Sequence, residues 1–131
     1  MNAAVANNLE KLELITNELT LLEDSFKHLF MLFPHPMCAA TRDFKFQIVN
    51  PAWTKALGYS KQELEGKCYL EFIHPDDIEA TKKVASGLND KDVMGFQNRY
   101  RHKEGHWVTL EWTACTYSVG GKTYAMARVV G

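Results

Sequence analysis

Residues 48–66 read Ile48-Val49-Asn50-Pro51-Ala52-Trp53-Thr54-Lys55-Ala56-Leu57-Gly58-Tyr59-Ser60-Lys61-Gln62-Glu63-Leu64-Glu65-Gly66, and the fold turns on them. Ile48 and Val49 close an apolar strand. Asn50-Pro51 then reads as a helix N-cap with proline at the first helical position, where its missing N–H costs nothing. The helix runs through Trp53 to Leu57 and stops at Gly58, a residue free to adopt the left-handed cap. Ser60 and Glu63 form a capping box that opens a second short helix, ended by Gly66. A strand that feeds a run of short, individually capped helices is an α+β signature.

Downstream the pattern continues. His74-Pro75-Asp76-Asp77 opens a third helix, with proline first and two acids facing the helix dipole. That helix carries Ile78, Val84 and Leu88 and fades at Asn89-Asp90. Three strands follow. Val93 to His102 is one, and Lys103-Glu104-Gly105 is its turn. Trp107 to Ser118 alternates, with Val108, Leu110, Trp112 and Ala114 on one face and Thr109, Glu111, Thr113 and Thr116 mostly on the other. Gly120-Gly121 is a tight turn, and Thr123 to Val130 is the last strand. Upstream, Met37–Thr41 and Phe46–Val49 form a hairpin about the turn Arg42-Asp43-Phe44-Lys45. The fold expected is a five-stranded antiparallel sheet with short helices on one face.

The first third differs. Leu12, Leu19, Phe26 and Phe33 form one row, and Ile15, Leu22 and Leu29 a second, at the 3-4 spacing of a coiled-coil seam. Leu14 and Leu21 lie on another stripe. Pro34 and Pro36 stop the helix. Residues 1–33 therefore read as a dimerisation helix and residues 34–131 as the domain. An amphipathic helix packed on its own core is the plainer alternative.

Composition narrows the function. The 131 residues are 46% hydrophobic and 24% charged, with formal net charge -1, as in ordinary globular domains. The basic stretch Arg99, Arg101, His102, Lys103 reads as a solvated strand edge, so no nucleic-acid partner is expected. Cys38, Cys68 and Cys115 are odd in number and lack CxxC spacing, pointing to a reducing compartment and a cytoplasmic location. The first residues do not resemble a signal peptide, and no stretch has the apolar length of a membrane span. His102 and His106 flank a turn with no carboxylate or cysteine at convincing ligand spacing, so no metal site is expected. Without a nucleophile elbow, phosphate loop or kinase motif, the chain does not read as an enzyme.

Four stretches together resemble the PAS sensory-domain family: residues 48–53, residues 57–66, Phe72-Ile73-His74-Pro75-Asp76-Asp77, and residues 96–105 from Phe96 to Gly105. Phe26-Lys27-His28-Leu29-Phe30 resembles the short helix before the first strand of such domains. The resemblance implies an input module of a bacterial signalling protein, a sensor histidine kinase or diguanylate cyclase, with an effector domain in the parent chain. Modules of this kind also dimerise, and the heptad rows give the expected homodimer seam as Leu12, Ile15, Leu19, Leu22, Phe26 and Leu29. A small ligand would sit between sheet and helices, against Ile48, Trp53, Tyr69, Phe72, Val84, Phe96, Asn98, Leu110, Trp112 and Met126. Asn98 is the polar candidate, because a polar group on an inward strand position needs a partner. The alternative is a ligand-free dimerisation module.

The family's cofactors can be tested against the residues. Flavin photoreceptors of this kind carry Asn-Cys-Arg-Phe-Leu-Gln, where this chain has Lys67-Cys68-Tyr69-Leu70-Glu71 after Gly66. Cysteine stands one place early and its polar neighbours are missing, which argues against covalent-adduct chemistry. Haem-binding members take a histidine from the third helix, and residues 76–90 hold none. Non-covalent flavin, as in a redox sensor, stays open, with Trp53, Trp112, Tyr69 and Phe96 as candidate walls. Many members end in an Asp-x-Thr motif leading to an output helix. Ala127-Arg128-Val129-Val130-Gly131 stands there instead, leaving either a shortened sequence or output through the N-terminal helix.

Overall fold

The computed structural model describes residues 3–87, 92–116 and 121–131. The chain divides into two compact units, Met1–Leu32 and Phe33–Gly131. The first is one helix, α1 (Ala3–Leu32). Along it Leu12, Ile15, Leu19, Leu22, Phe26 and Leu29 are exposed, between 45% and 70% of each side chain's residue surface. Phe33 does not extend that row, because the helix ends at Leu32. Pro34 disfavours helical backbone at the residue before it, so the helix stops one position earlier than the heptad pattern suggested.

The second unit holds β1 (Met37–Ala40), β2 (Phe46–Val49), α2 (Ala52–Leu57), α3 (Lys61–Leu64), α4 (Ile78–Gly87), β3 (Val93–Arg101), β4 (Trp107–Thr116) and β5 (Thr123–Val129). Two 3-10 turns, Tyr69–Phe72 and Pro75–Asp77, precede α4, and the first was not anticipated from sequence. The sheet order is β2-β1-β5-β4-β3, antiparallel throughout. Five strands with helical segments after the first hairpin match the expected class. The expected end of the third helix at Leu88, Asn89 and Asp90 lies outside the described residues, as do Tyr117, Ser118 and Gly120.

Alternation on β4 is kept. Val108, Leu110 and Trp112 are buried and Thr113 is exposed. β3 carries an irregularity between Met94 and Phe96, where Gly95 takes φ +79°. A glycine in that conformation inserts one residue and re-aims those beyond it. Gly58 ends α2 at φ +86°, and a Cβ there would lie 3.1 Å from the His102 ring. Both the backbone sign and the close approach call for glycine.

The segment between β2 and β3 is sewn to both sheet edges. Phe46 N–H donates to Lys67 O and Gly66 N–H to Phe46 O, at 3.0 and 2.8 Å. On the far edge His74 N–H donates to Arg99 O at 2.9 Å. Neither edge strand is left open to another chain along those stretches. Beneath lies an aromatic core. Trp53 is fully buried, with ring centroids 5.0 Å from Phe46, 5.7 Å from Tyr100 and 5.8 Å from Trp112.

The caps are partly as read. Ser60 and Glu63 make the full capping box, and His74 Nδ1 accepts from Asp76 N–H. Asn50 does not cap α2. Its Oδ1 accepts from Met37 N–H at 2.8 Å, and its Nδ2 donates to His35 O at 3.0 Å and Phe33 O at 3.4 Å. Buried at 2% exposure, it ties the entry of β1 to the exit of β2. The Met37 N–H and the Phe33 and His35 carbonyls of the chain entering β1 compete for the same amide, and they win.

That difference can be measured. Asn50→Asp keeps an excellent N-cap side chain but cannot donate to the two carbonyls. It should destabilise the domain by about 2–3 kcal/mol in urea titration at neutral pH, as much as Asn50→Ala. A neutral Asn50→Asp would restore the capping role.

Candidate functional site

Small residues on β1, β4 and β5 leave space on the inner face of the sheet. Cys38, Ala40, Ala114, Thr123 and Ala125 line a cavity there, together with Phe46, Tyr69, Thr81, Val84, Ala85, Val93, Phe96, Asn98, Tyr100 and Trp112. The space open to the centre of a water molecule is about 70 Å³. Among the described residues the lining contains no Asp, Glu, Lys, Arg or His. A second depression at its edge shares Tyr69, Ala85 and Thr123 and is flanked by Thr41, Arg42, Phe44 and Ser86.

One polar chain runs from the cavity wall outward. Trp112 Nε1 donates to Asn98 Oδ1 at 2.7 Å, and Asn98 Nδ2 donates to Thr81 Oγ1 at 3.2 Å. Thr81 Oγ1 donates to Asp77 O at 2.7 Å. The Asp77 carboxylate accepts from Arg99 N–H, Nε and Nη2 at 2.8, 2.9 and 2.8 Å. Asp77 therefore does more than face a helix dipole: it clamps the start of α4 to β3. Arg99, read from sequence as a solvated edge charge, is its partner. Hydrogen bonds from Arg99 hold the Asp77 carboxyl below the usual carboxylate range.

Of the ten candidate lining residues, the structure brings Tyr69, Val84, Phe96, Asn98 and Trp112 to the cavity. Trp53, Phe72 and Leu110 sit in the packed core instead. Ile48 and Met126 lie elsewhere for a reason of register. Met126 pairs with Met37 and Thr113, and Thr113 points away from the inward Trp112. Ile48 pairs with Ala39, itself opposite Tyr124. On β5 the large side chains face out and the alanines face in. Sequence reasoning favoured bulk, so it passed over Cys38, Ala40, Ala85, Ala114 and Ala125, whose smallness makes the space. Spacing of alanines across β1, β4 and β5 was the available signal.

The reactive groups are quiet. Burial pushes the Cys38 thiol up to about 12, so it stays protonated and non-nucleophilic. On the β3–β4 turn, Glu104 joins His102 and His106, with one ligand atom from each lying within 4.8 Å of the others. This corrects the expectation that no carboxylate accompanies the two histidines. The rings stack at 4.3 Å, and His102 Nδ1 already accepts from Glu104 N–H. Among the described residues no helix is long and apolar enough to cross a membrane.

Comparison with known proteins agrees with this geometry. The PAS fold family matches residues 47–130. The chain belongs to the PAS family, a class of sensory modules that are generally non-catalytic. The structure is similar to the PAS domain of an HTR-like protein from Haloarcula marismortui, with TM-score 0.75, 21% identity, and coverage of 90% of this chain and 99% of that one. It is also similar to a domain of a sensory box sensor histidine kinase/response regulator from Geobacter sulfurreducens, with TM-score 0.70, 18% identity, and coverage of 84% and 96%. In sequence it is 37% identical over 76 residues to basic helix-loop-helix ARNT-like protein 2 of Mus musculus. That match takes in 55% of this chain and 13% of the mouse protein.

The Asp77 clamp sets an acid sensitivity. Its folded pKa lies below the unfolded value of about 3.9, so its stabilisation is present above that pH and is lost as pH falls through the folded value. Asp77→Asn should lower the urea midpoint at pH 7 and narrow the gap between pH 7 and pH 3. An unchanged gap would mean that other carboxylates, such as Glu63, whose pKa hydrogen bonds from Lys103 and Ser60 bring to about 2, carry the acid response.

Proposed function

We propose that this chain is the signal-sensing module of a sensor protein, and that it takes a small molecule into the cavity between the sheet and α4. The observation that carries this reading is the cavity's composition: an apolar, uncharged lining with a few convergent polar groups, the usual make-up of a small-molecule site. The link from Trp112 through Asn98 and Thr81 to Asp77 supports a route for the signal. A ligand that displaces the Trp112 indole loosens the bonds that hold α4 to β3. The likeness to a domain of a sensor histidine kinase favours a kinase as the parent, with a cytoplasmic position.

Filling the cavity tests the reading. Ala125→Leu places a branched side chain beside Ala114, its cross-strand partner. The variant should fold, by circular dichroism, and bind none of the neutral aromatic fragments that shift the wild-type Trp112 indole resonance. Equal binding by the two proteins would remove the cavity from the mechanism.

A second reading rests on a separate observation, the exposed apolar rows of α1. Six such side chains at seam spacing favour pairing with a second copy of the helix, with or without a ligand. Leu19→Glu with Leu22→Glu should convert a dimer to a monomer in sedimentation at micromolar concentration. A dimer that survives would place the contact elsewhere.

A further inference from the structure

Two of the cavity's polar side chains are already engaged with the protein. The Asn98 carbonyl oxygen accepts from Trp112, and the Thr81 oxygen accepts from Asn98 while giving its proton to Asp77 O. Two phenol hydroxyls of the lining stand differently. Tyr100 is 3% exposed and Tyr69 is half-buried, and both line the cavity. Among the described residues neither hydroxyl takes part in a hydrogen bond. No fully enclosed side-chain oxygen or nitrogen lacks a partner, so these two oxygens are reached from the open space. Asn98, on the same lining, has one further Nδ2 N–H. A tyrosine with a buried ring usually finds a partner for its hydroxyl, and for these two the open space of the cavity is where a partner would sit.

We propose, building on the cavity reading above, that Tyr69 and Tyr100 are the donors that select the ligand: an uncharged, largely apolar molecule carrying an acceptor oxygen such as a ketone. The described lining disfavours charge. A carboxylate or ammonium would leave water for a wall whose described residues offer no counter-ion, at a cost the apolar contact does not repay. Nor can the phenols themselves ionise to supply one. Burial raises both pKa values. Each ring therefore stays a neutral O–H donor across the physiological range. The ring bodies are held in place independently of any ligand: Tyr100 packs on Trp53 and Trp112, and Tyr69 on Phe44 and Phe46. The donors are thus set in position before the ligand arrives, which lowers the ordering cost of binding.

The test compares two probes of one shape, indane and 1-indanone, that differ by the carbonyl oxygen. Their dissociation constants are measured by NMR titration against the wild type, Tyr69→Phe and Tyr100→Phe. Removing a hydroxyl that bonds to nothing in the protein leaves no orphaned partner, so both variants should retain the wild-type fold in the same spectra. The ratio of the two constants should move about tenfold toward indane in Tyr100→Phe, with a smaller shift in Tyr69→Phe. Comparing that ratio between wild type and variant cancels the different cost of drawing each probe from water. If both probes bind and the ratio is the same in all three proteins, the hydroxyls select nothing and this inference falls while the cavity reading stands. If neither probe binds any of the proteins, the cavity reading falls with it.

Discussion

The chain between β2 and β3 hydrogen-bonds to both edges of the sheet at once, and the rest of the domain depends on it. At one end Phe46 exchanges backbone bonds with Gly66 and Lys67, and at the other His74 reaches Arg99. A five-stranded sheet twists but has no reason of its own to close over one face. Anchoring one helical segment at both edges pulls α4 across that face. The aromatic cluster of Phe46, Trp53, Tyr100 and Trp112 fills the near part of the space and the cavity occupies what is left.

Two kinds of polar group serve this arrangement differently. Asn50 and the Asp77–Arg99 pair are fully engaged with the backbone or with each other. They join the sheet to the chain that crosses it. The hydroxyls of Tyr69 and Tyr100 are not engaged at all, although their rings are packed. Buried polar atoms that close a network contribute rigidity, and those left open to a cavity retain their unmet demand for whatever enters it. The division between the two follows the wall of the cavity.

Much of the fold was legible because it was written in local chemistry. The Ser60 and Glu63 capping box, the left-handed stop at Gly58 and the alternation of Val108, Leu110 and Trp112 each act within a few residues. Short-range rules of this kind need no knowledge of the remote chain. Asn50 shows where they end. Locally it reads as an N-cap. The chain entering β1, thirteen residues earlier at Met37, brings competing donors and acceptors that no window around Asn50 contains.

The site was legible only in part, and for a physical reason. Amino-acid sequence alone determined the order of the strands and α-helices, the Ser60 and His74 caps, the break after α1 and the inward face of β4. It also singled out Asn98 and Trp112 as groups facing inward. Tertiary structure decided which residues surround empty space. A cavity exists where side chains are too small to meet, and smallness at Ala40, Ala114 and Ala125 acquires meaning only when register sets the three strands side by side. Likewise, pairing of Met126 with Thr113 turned a large apolar residue outward. A strand has two faces of equal standing in sequence, and only its neighbours choose between them.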